Sequence, residues 1–363
     1  MLCLIKITFL SHPIGEVVAL CFAQFAETSF QNYYLGTFRK HFKLLSIKNI
    51  MNKIITKEEV EKALENYSLG KLISINRLNR RCEHLQPSFI IKTEKGKYFF
   101  KQYWKFDYSK KKGLEFNVFL QKKNYPCNKV ILAKNNKPFF KINGIVISIF
   151  EFLSYKEKEN INLKECYEFG QGLARLHVLS KGHKNIKETL SPTYFFNEFK
   201  KEYHFSKKAP LSMKNILENI KSEYPKAIKK LKGLPKGICH TEYTPQHTRF
   251  HNQKLVSVID WDLINKSYLI YDLGTALSTA LEKTKTSFQK MKSILKGYES
   301  VRKLTKKEKS SLFEAVELGI FKFVTWGLDK EEIEKSGWEN IGLPQANVLM
   351  KLGRDEFYKK LTP

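Results

Sequence analysis

The sequence predicts an α+β fold in two lobes: a small antiparallel sheet with one helix, followed by a larger, mostly helical lobe. Three observations carry that expectation. Short strand-like runs separated by turn residues crowd between residues 51 and 152. Helical spacing of apolar residues dominates from 153 to 363. One short β region, Ile238 to Asp260, interrupts those helices.

Taken in order, residues 1–50 show no clear element boundaries and are followed at once by Met51, so they read as an N-terminal extension or as sequence ahead of the functional start. Thr56-Lys57-Glu58-Glu59 is a capping box opening a helix with Val60, Ala63, Leu64 and Tyr67 on one face, ended by Gly70. Strands are expected at Leu72–Asn76, Ser88–Thr93 and Lys97–Tyr103, the last two joined as a hairpin across Glu94-Lys95-Gly96. A helix bearing Leu114, Val118 and Phe119 follows, then a second hairpin, Phe139–Ile142 and Ile145–Phe150, around the strong turn signal Asn143-Gly144. Beyond Leu153, Asn162 can cap a helix presenting Leu163, Tyr167, Gly170, Leu173 and Leu176. Residues 195–232 form lysine-rich helices, and from Tyr271 onward the chain again reads as helix.

Composition narrows the function classes. The 363 residues carry a net charge of +28, yet only 8 of the 64 basic residues are Arg, the side chain suited to bidentate phosphate and guanine contacts. Lysine is spread through every segment, which argues against nucleic acid as a partner and leaves an acidic small substrate as an equal explanation of the charge. No apolar run reaches the roughly 18 residues of a membrane span, so integral membrane association is not expected. The six Cys show no paired spacing, which fits isolated packing thiols in a reducing cytoplasm better than a disulfide framework or a thiolate metal site.

The densest cluster of chemistry is His240-Thr241-Glu242 with His247, then Leu255-Val256-Ser257-Val258-Ile259-Asp260-Trp261-Asp262, then Tyr271-Asp272-Leu273-Gly274. An apolar strand running into a carboxylate presents that carboxylate at its end, and Asp260 and Asp262, two apart, can both turn toward a hard cation. Phosphoryl transfer needs such a cation and a carboxylate to orient a hydroxyl. On these residues the chain resembles the aminoglycoside-phosphotransferase-like small-molecule kinases, most closely their homoserine-kinase-type branch. That family's pattern is His-Gly-Asp, four residues, Asn, then an apolar strand ending Ile-Asp-Trp/Phe, then Tyr-Asp-Leu. Lys97–Tyr103, the helix at Glu115–Leu120, Leu173-Ala174-Arg175-Leu176-His177 and Leu295–Arg302 extend the likeness from Lys53 to Leu328.

The resemblance implies a protein-kinase-like fold, with an N-lobe at 51–152 and a helical C-lobe at 153–363, ATP or GTP with Mg²⁺ as cofactors, and a small hydroxyl-bearing metabolite as acceptor. It also implies roles. Lys101 would contact the nucleotide phosphates and Glu115 would hold that lysine in place. Backbone groups around Glu151, Phe152 and Leu153 would meet adenine, with Phe150 or Phe152 against the ring. Glu242 and Asp260 would be the catalytic pair, with Asp260, His247 and Asp262 as metal ligands and Asp272 bracing the loop. Three departures fall at working positions: Glu242 replaces the catalytic aspartate, His247 the metal-binding asparagine, and Thr241 the glycine of the triplet. The phosphate-covering turn near Arg80–Leu85 also lacks glycine. An active kinase is therefore one expectation and a pseudokinase, binding nucleotide or ligand without transfer, the other.

Overall fold

A computed structural model describes residues 54–78, 87–329, 333–334 and 337–361. The N-terminal extension with Met51, and the turn near Arg80–Leu85, lie outside the described residues. The first helix, α1 (Lys57–Leu64), starts at the expected capping box, with the Thr56 hydroxyl accepting from Glu59 N–H and the Glu59 carboxylate accepting from Thr56 N–H. Strands β1 (Leu72–Arg77), β2 (Ser88–Thr93) and β3 (Gly96–Tyr103) follow, then helix α2 (Tyr108–Lys122) and strands β4 (Val130–Ile131), β5 (Phe140–Ile142) and β6 (Ile145–Glu151). All pair antiparallel in the order β1-β2-β3-β6-β4, with β5 also on β6. Asn143 and Gly144 both take positive φ, 47° and 82°, the requirement of the tight hairpin joining β5 to β6.

The two faces of the sheet do different work because side chains alternate along β3. Phe100 points to one face and packs with Val60, Ala63, Leu64, Ile91, Ile147 and Ile149 beneath α1. Phe99, Lys101 and Tyr103 point to the other, toward α2, where Tyr103, Leu114, Val130, Val146 and Phe150 form a second cluster. The alternation thus delivers Lys101 to the α2 side.

The remainder is helical around one large core. It comprises α3 (Leu163–Leu179), α4 (Pro192–Glu202), α5 (Leu211–Lys230), α6 (Leu269–Ser278), α7 (Phe288–Val301), α8 (Lys306–Lys309), α9 (Leu312–Gly327), α10 (Leu343–Leu352) and α11 (Arg354–Leu361). Asn162 caps α3 with Glu165 in a reciprocal box. Two small ribbons interrupt the helices between α5 and α6. In one, β7 (Lys236–Cys239) pairs with β10 (Asn265–Tyr268); in the other, β8 (Thr248–His251) pairs with β9 (Lys254–Val258). The β10 partner is a strand the sequence reading did not anticipate. No helix among the described residues is long and apolar enough to cross a membrane.

Candidate active site

The site lies where three segments converge on the α2 face of β3. Strand β9 is apolar up to Ile259, and Asp260 then adopts a left-handed conformation (φ 63°, ψ 68°) that starts the single turn Trp261–Leu263. Helix α2 seats directly on this turn. A Cβ at Gly113 would lie 2.2 Å from the Trp261 carbonyl oxygen, so only glycine allows the approach, and the Ser109 hydroxyl donates to the Asp262 carbonyl at 2.7 Å.

Lys101 crosses from β3 to this turn and meets two carboxylates, Asp262 Oδ2 at 2.9 Å and Asp260 Oδ1 at 3.6 Å. Burial works against the lysine cation, but the two acids outweigh it and push its pKa up. Asp260 shows the complementary effect. Burial opposes its ionisation, and Lys101, His247 and His240 override that and hold it at about 2. The expected pairing of Lys101 with Glu115 is not formed. Glu115 turns to Lys112 at 2.7 Å and Lys111 at 4.0 Å. The reason is rotational: Gly113, Leu114 and Asn117 face the cavity, which leaves residue 115 on the far side of the helix.

The second segment is the loop after β7. His240 N–H and Thr241 N–H donate to the two oxygens of Asp272, at 2.8 and 3.0 Å, and His177 Nε2 lies 3.2 Å from the same carboxylate. His177 Nδ1 in turn meets the Tyr298 hydroxyl at 2.7 Å, so both ring nitrogens of this buried histidine are engaged. Cys239, 1% exposed, sits beside them as a buried thiol whose pKa burial raises well above its ordinary value. Thr241, at the triplet's glycine position, retains the left-handed backbone with φ 75°. For a β-branched residue that conformation costs on the order of 1–3 kcal/mol. A residue the motifs do not single out stabilises it: Lys322 of α9, fully buried, donates to the Thr241 carbonyl and, at 3.0 Å, to the Thr275 hydroxyl. Aromatic faces of Tyr271, Phe323 and Trp326 lie 5.0 to 5.4 Å from its ammonium. On the sequence, Lys322 is one lysine among many in the chain and the single one in this apolar helix. Only its fully apolar surroundings, Leu318-Gly319-Ile320-Phe321 and Phe323-Val324, hinted that it would be buried.

Glu242 follows Thr241 and is 3% exposed, with Oε2 lacking any hydrogen-bond partner. Burial first, and the nearby Asp260 second, raise its pKa to about 7 against the opposing pull of His247 and Lys322. His247 closes the loop, its Nδ1 2.8 Å from the Glu242 carbonyl and its Nε2 3.8 Å from Asp260 Oδ2. His240 Nε2 donates to the Ile259 carbonyl at 2.9 Å, tying the loop to the end of β9.

Lys101 and the Asp260 turn border a cavity of about 410 Å³ lined also by Phe99, Phe150, Phe152 and Leu153, with Glu151 and Asp262 on its wall; Glu242 and His247 lie next to Asp260 but not on that wall. At its rim the chain leaves the sheet after Glu151, whose N–H donates to the Lys129 carbonyl, so Phe152 and Leu153 carry backbone beyond the ladder. The ammonium of Lys97 rests 3.9 Å over the Phe152 ring. Asp260, Asp262, His247 and Lys101 are thus brought together by the fold, Glu242 stands on the adjoining loop, and Glu115 stands apart.

Comparison with known proteins bears on this arrangement. The chain is 25% identical over 268 residues to a homoserine kinase of Caulobacter vibrioides, covering 71% of this chain and 82% of the relative. A homoserine kinase of Gluconobacter oxydans is 23% identical over 266 residues, covering 70% and 82%. Among solved structures, an amicoumacin kinase in complex with AMP-PNP, Ca²⁺ and Ami superposes with a TM-score of 0.64 at 14% identity, over 85% of this chain and 99% of that one. An aminoglycoside phosphotransferase of Alicyclobacillus acidocaldarius gives 0.59 at 12% identity, over 84% and 97%. At such identities the likeness establishes fold, and the fold is the α+β, protein-kinase-like one that the sequence implied. The sequence pattern of the phosphotransferase enzyme family matches residues 84–301, which take in Lys101, the His240–His247 loop and the Asp260 turn, and the chain belongs to that family.

Proposed function

We propose that the chain is an ATP-dependent kinase transferring the γ-phosphate to a hydroxyl of a small metabolite. The observation that carries this reading is the position of Lys101 and Asp260. A cation on a sheet and a carboxylate at a strand end meet on the wall of an aromatic-lined cavity large enough for a nucleotide base. Glu151, Phe152 and Leu153 would face the adenine edge, and Phe150 and Phe152 offer ring surface to it.

One oxygen here is open to a divalent cation: Asp260 Oδ1 is buried with no donor at hydrogen-bond distance, the Lys101 ammonium lying 3.6 Å away, and carboxylate oxygens suit hard cations. Asp260, with His247 and Asp262 beside it, would hold that ion, whose charge offsets that of the phosphates. Lys101, released from the carboxylates it now bridges, would meet the phosphate oxygens. Glu242 orients the acceptor hydroxyl and takes its proton as the hydroxyl oxygen bonds to the γ-phosphorus and the bond to ADP breaks. A carboxylate raised to about 7 is well matched to exchanging a proton near neutrality. The extra methylene of Glu over Asp is accommodated on this reading by the loop's own anchoring at Thr241.

The test is a thermal-shift titration with ATP and GTP, with and without divalent cation, followed by an acceptor screen that starts with homoserine and other small amino alcohols. A ligand that binds only the native state raises the melting temperature by mass action. We expect a metal-dependent shift that is lost in Asp260→Ala, and a phosphorylated product whose formation falls by about 10³-fold or more in that variant. A nucleotide shift with no product from any acceptor would favour the pseudokinase reading. Absence of any shift in folded protein at millimolar nucleotide would end both.

A further inference from the structure

The position that the family resemblance gives to a metal-binding asparagine holds His247, and its surroundings decide which ring nitrogen is available. The short turn Pro245–His247 is closed by His247 N–H donating to the Thr244 carbonyl at 3.0 Å and by the Thr248 hydroxyl donating to the Pro245 carbonyl at 2.9 Å. The His247 carbonyl is bound in turn by Ile259 N–H at 2.9 Å, beside Asp260. With its backbone fastened on both sides, the ring is directed by one strong contact, Nδ1 at 2.8 Å from the Glu242 carbonyl. A carbonyl oxygen only accepts, so Nδ1 carries the proton. In the neutral ring the lone pair then sits on Nε2.

That nitrogen faces Asp260 Oδ2 at 3.8 Å. The separation is too long for a hydrogen bond. Two bonds of about 2.0–2.2 Å to one ion span that separation at a wide angle, roughly 120–140°, and a small inward shift of either side chain brings the pair to the roughly 3–3.5 Å of neighbouring ligands. A histidine whose other ring N–H is held by a backbone carbonyl is also the usual outer arrangement of a metal-ligating imidazole. Imidazole shifts a site's preference away from Mg²⁺, which demands oxygen, toward first-row transition ions.

We propose that the divalent cation of this site is bound through nitrogen as well as oxygen, by His247 Nε2 and Asp260, and that the site selects Mn²⁺ over Mg²⁺. The inference rests on the kinase reading for its location but not for its test. The competing arrangement is an imidazolium–carboxylate ion pair between the same two residues, with no metal role for His247.

The experiment uses the full chain and Mn²⁺ alone, without nucleotide, so that adenine nitrogen cannot contribute. Electron spin-echo envelope modulation of bound Mn²⁺ should show directly coordinated ¹⁴N, and the signal should vanish in His247→Asn while Mn²⁺ still binds. The ratio of Mn²⁺ to Mg²⁺ affinity should fall at least tenfold in the same variant. His247→Gln, checked for folding by circular dichroism, guards against an unfolded Asn variant, and His251→Asn should leave the spectrum unchanged. Bound Mn²⁺ without nitrogen coupling in the wild-type protein, no Mn²⁺ binding, or an unchanged ratio in folded His247→Asn would overturn the proposal. Nucleotide binding measured separately with Mg²⁺ distinguishes the two failures. If nucleotide binds with Mg²⁺ and no nitrogen couples to Mn²⁺, the nucleotide site stands and the nitrogen ligand falls.

Discussion

The site contains two carboxylate-bearing turns that are built alike and charged differently. Each holds a non-glycine residue in the left-handed region, Thr241 at φ 75° and Asp260 at φ 63°, and each is met by one lysine, Lys322 fully buried and Lys101 partly so. At the Asp260 turn, Lys101 faces two carboxylates, and both lysine and Asp260 are driven toward their charged forms. At the Thr241 turn, Lys322 faces a carbonyl and a hydroxyl, and burial pulls its pKa down to about 8 while Glu242 rises to about 7. The difference teaches that burial alone does not set the state of a buried charge. What decides is whether an opposite charge lies within contact distance, because desolvation acts on both lysines and only one is compensated directly.

That contrast can be broken most severely at Lys322. Replacing it by Met leaves the Thr241 carbonyl and the Thr275 hydroxyl without their donor, and removes a cation near Glu242 and Asp272. We expect a loss of about 2–4 kcal/mol in chemical denaturation. The same substitution in a Thr241→Gly background should cost less, since glycine holds the left-handed turn unaided. Equal costs in both backgrounds would show that Lys322 does not support this backbone.

Glu317, on the same helix as Lys322, extends the comparison to a carboxylate with little compensation. It is 5% exposed, and burial, then Glu314 and Glu223, raise its pKa to about 8, with Lys226 opposing. An acid whose folded pKa lies above its unfolded value binds more protons when folded, so stability falls as pH rises from about 4.5 to about 8. Glu317→Gln should therefore change little at pH 5 and stabilise at pH 9 by several kcal/mol, since each pKa unit is worth about 1.4 kcal/mol. A pH-independent effect in melting curves would contradict the assignment. The smallest effect is expected from Thr241→Gly alone, a stabilisation of about 1 kcal/mol from relieved backbone strain, measured by the same denaturation.

Much of this was legible along the chain. The capping box at Thr56, the cap at Asn162 and the Asn143-Gly144 turn are local devices, complete within four residues, so the sequence suffices to find them. Asp260 was legible for a similar reason: an apolar strand that ends in a carboxylate needs no distant partner to be noticed. Glu115 shows where such reading stops. A helix offers any of its faces to a sheet, and only the close fit of Gly113 on Trp261 turned residue 115 away from Lys101.

By itself, then, the sequence determined the fold class and most of the element order, which follow from periodicity and turn residues, and its motifs carried the resemblance to the family. Tertiary structure alone decided the partners. Lys101 and Asp262 are 161 positions apart, Lys322 and Thr241 are 81, and β7 finds β10 across the whole segment from His240 to Ile264. Ion pairs and hydrogen bonds fall away within a few ångströms. No spacing along a chain sets such a distance until the helices and sheet have packed.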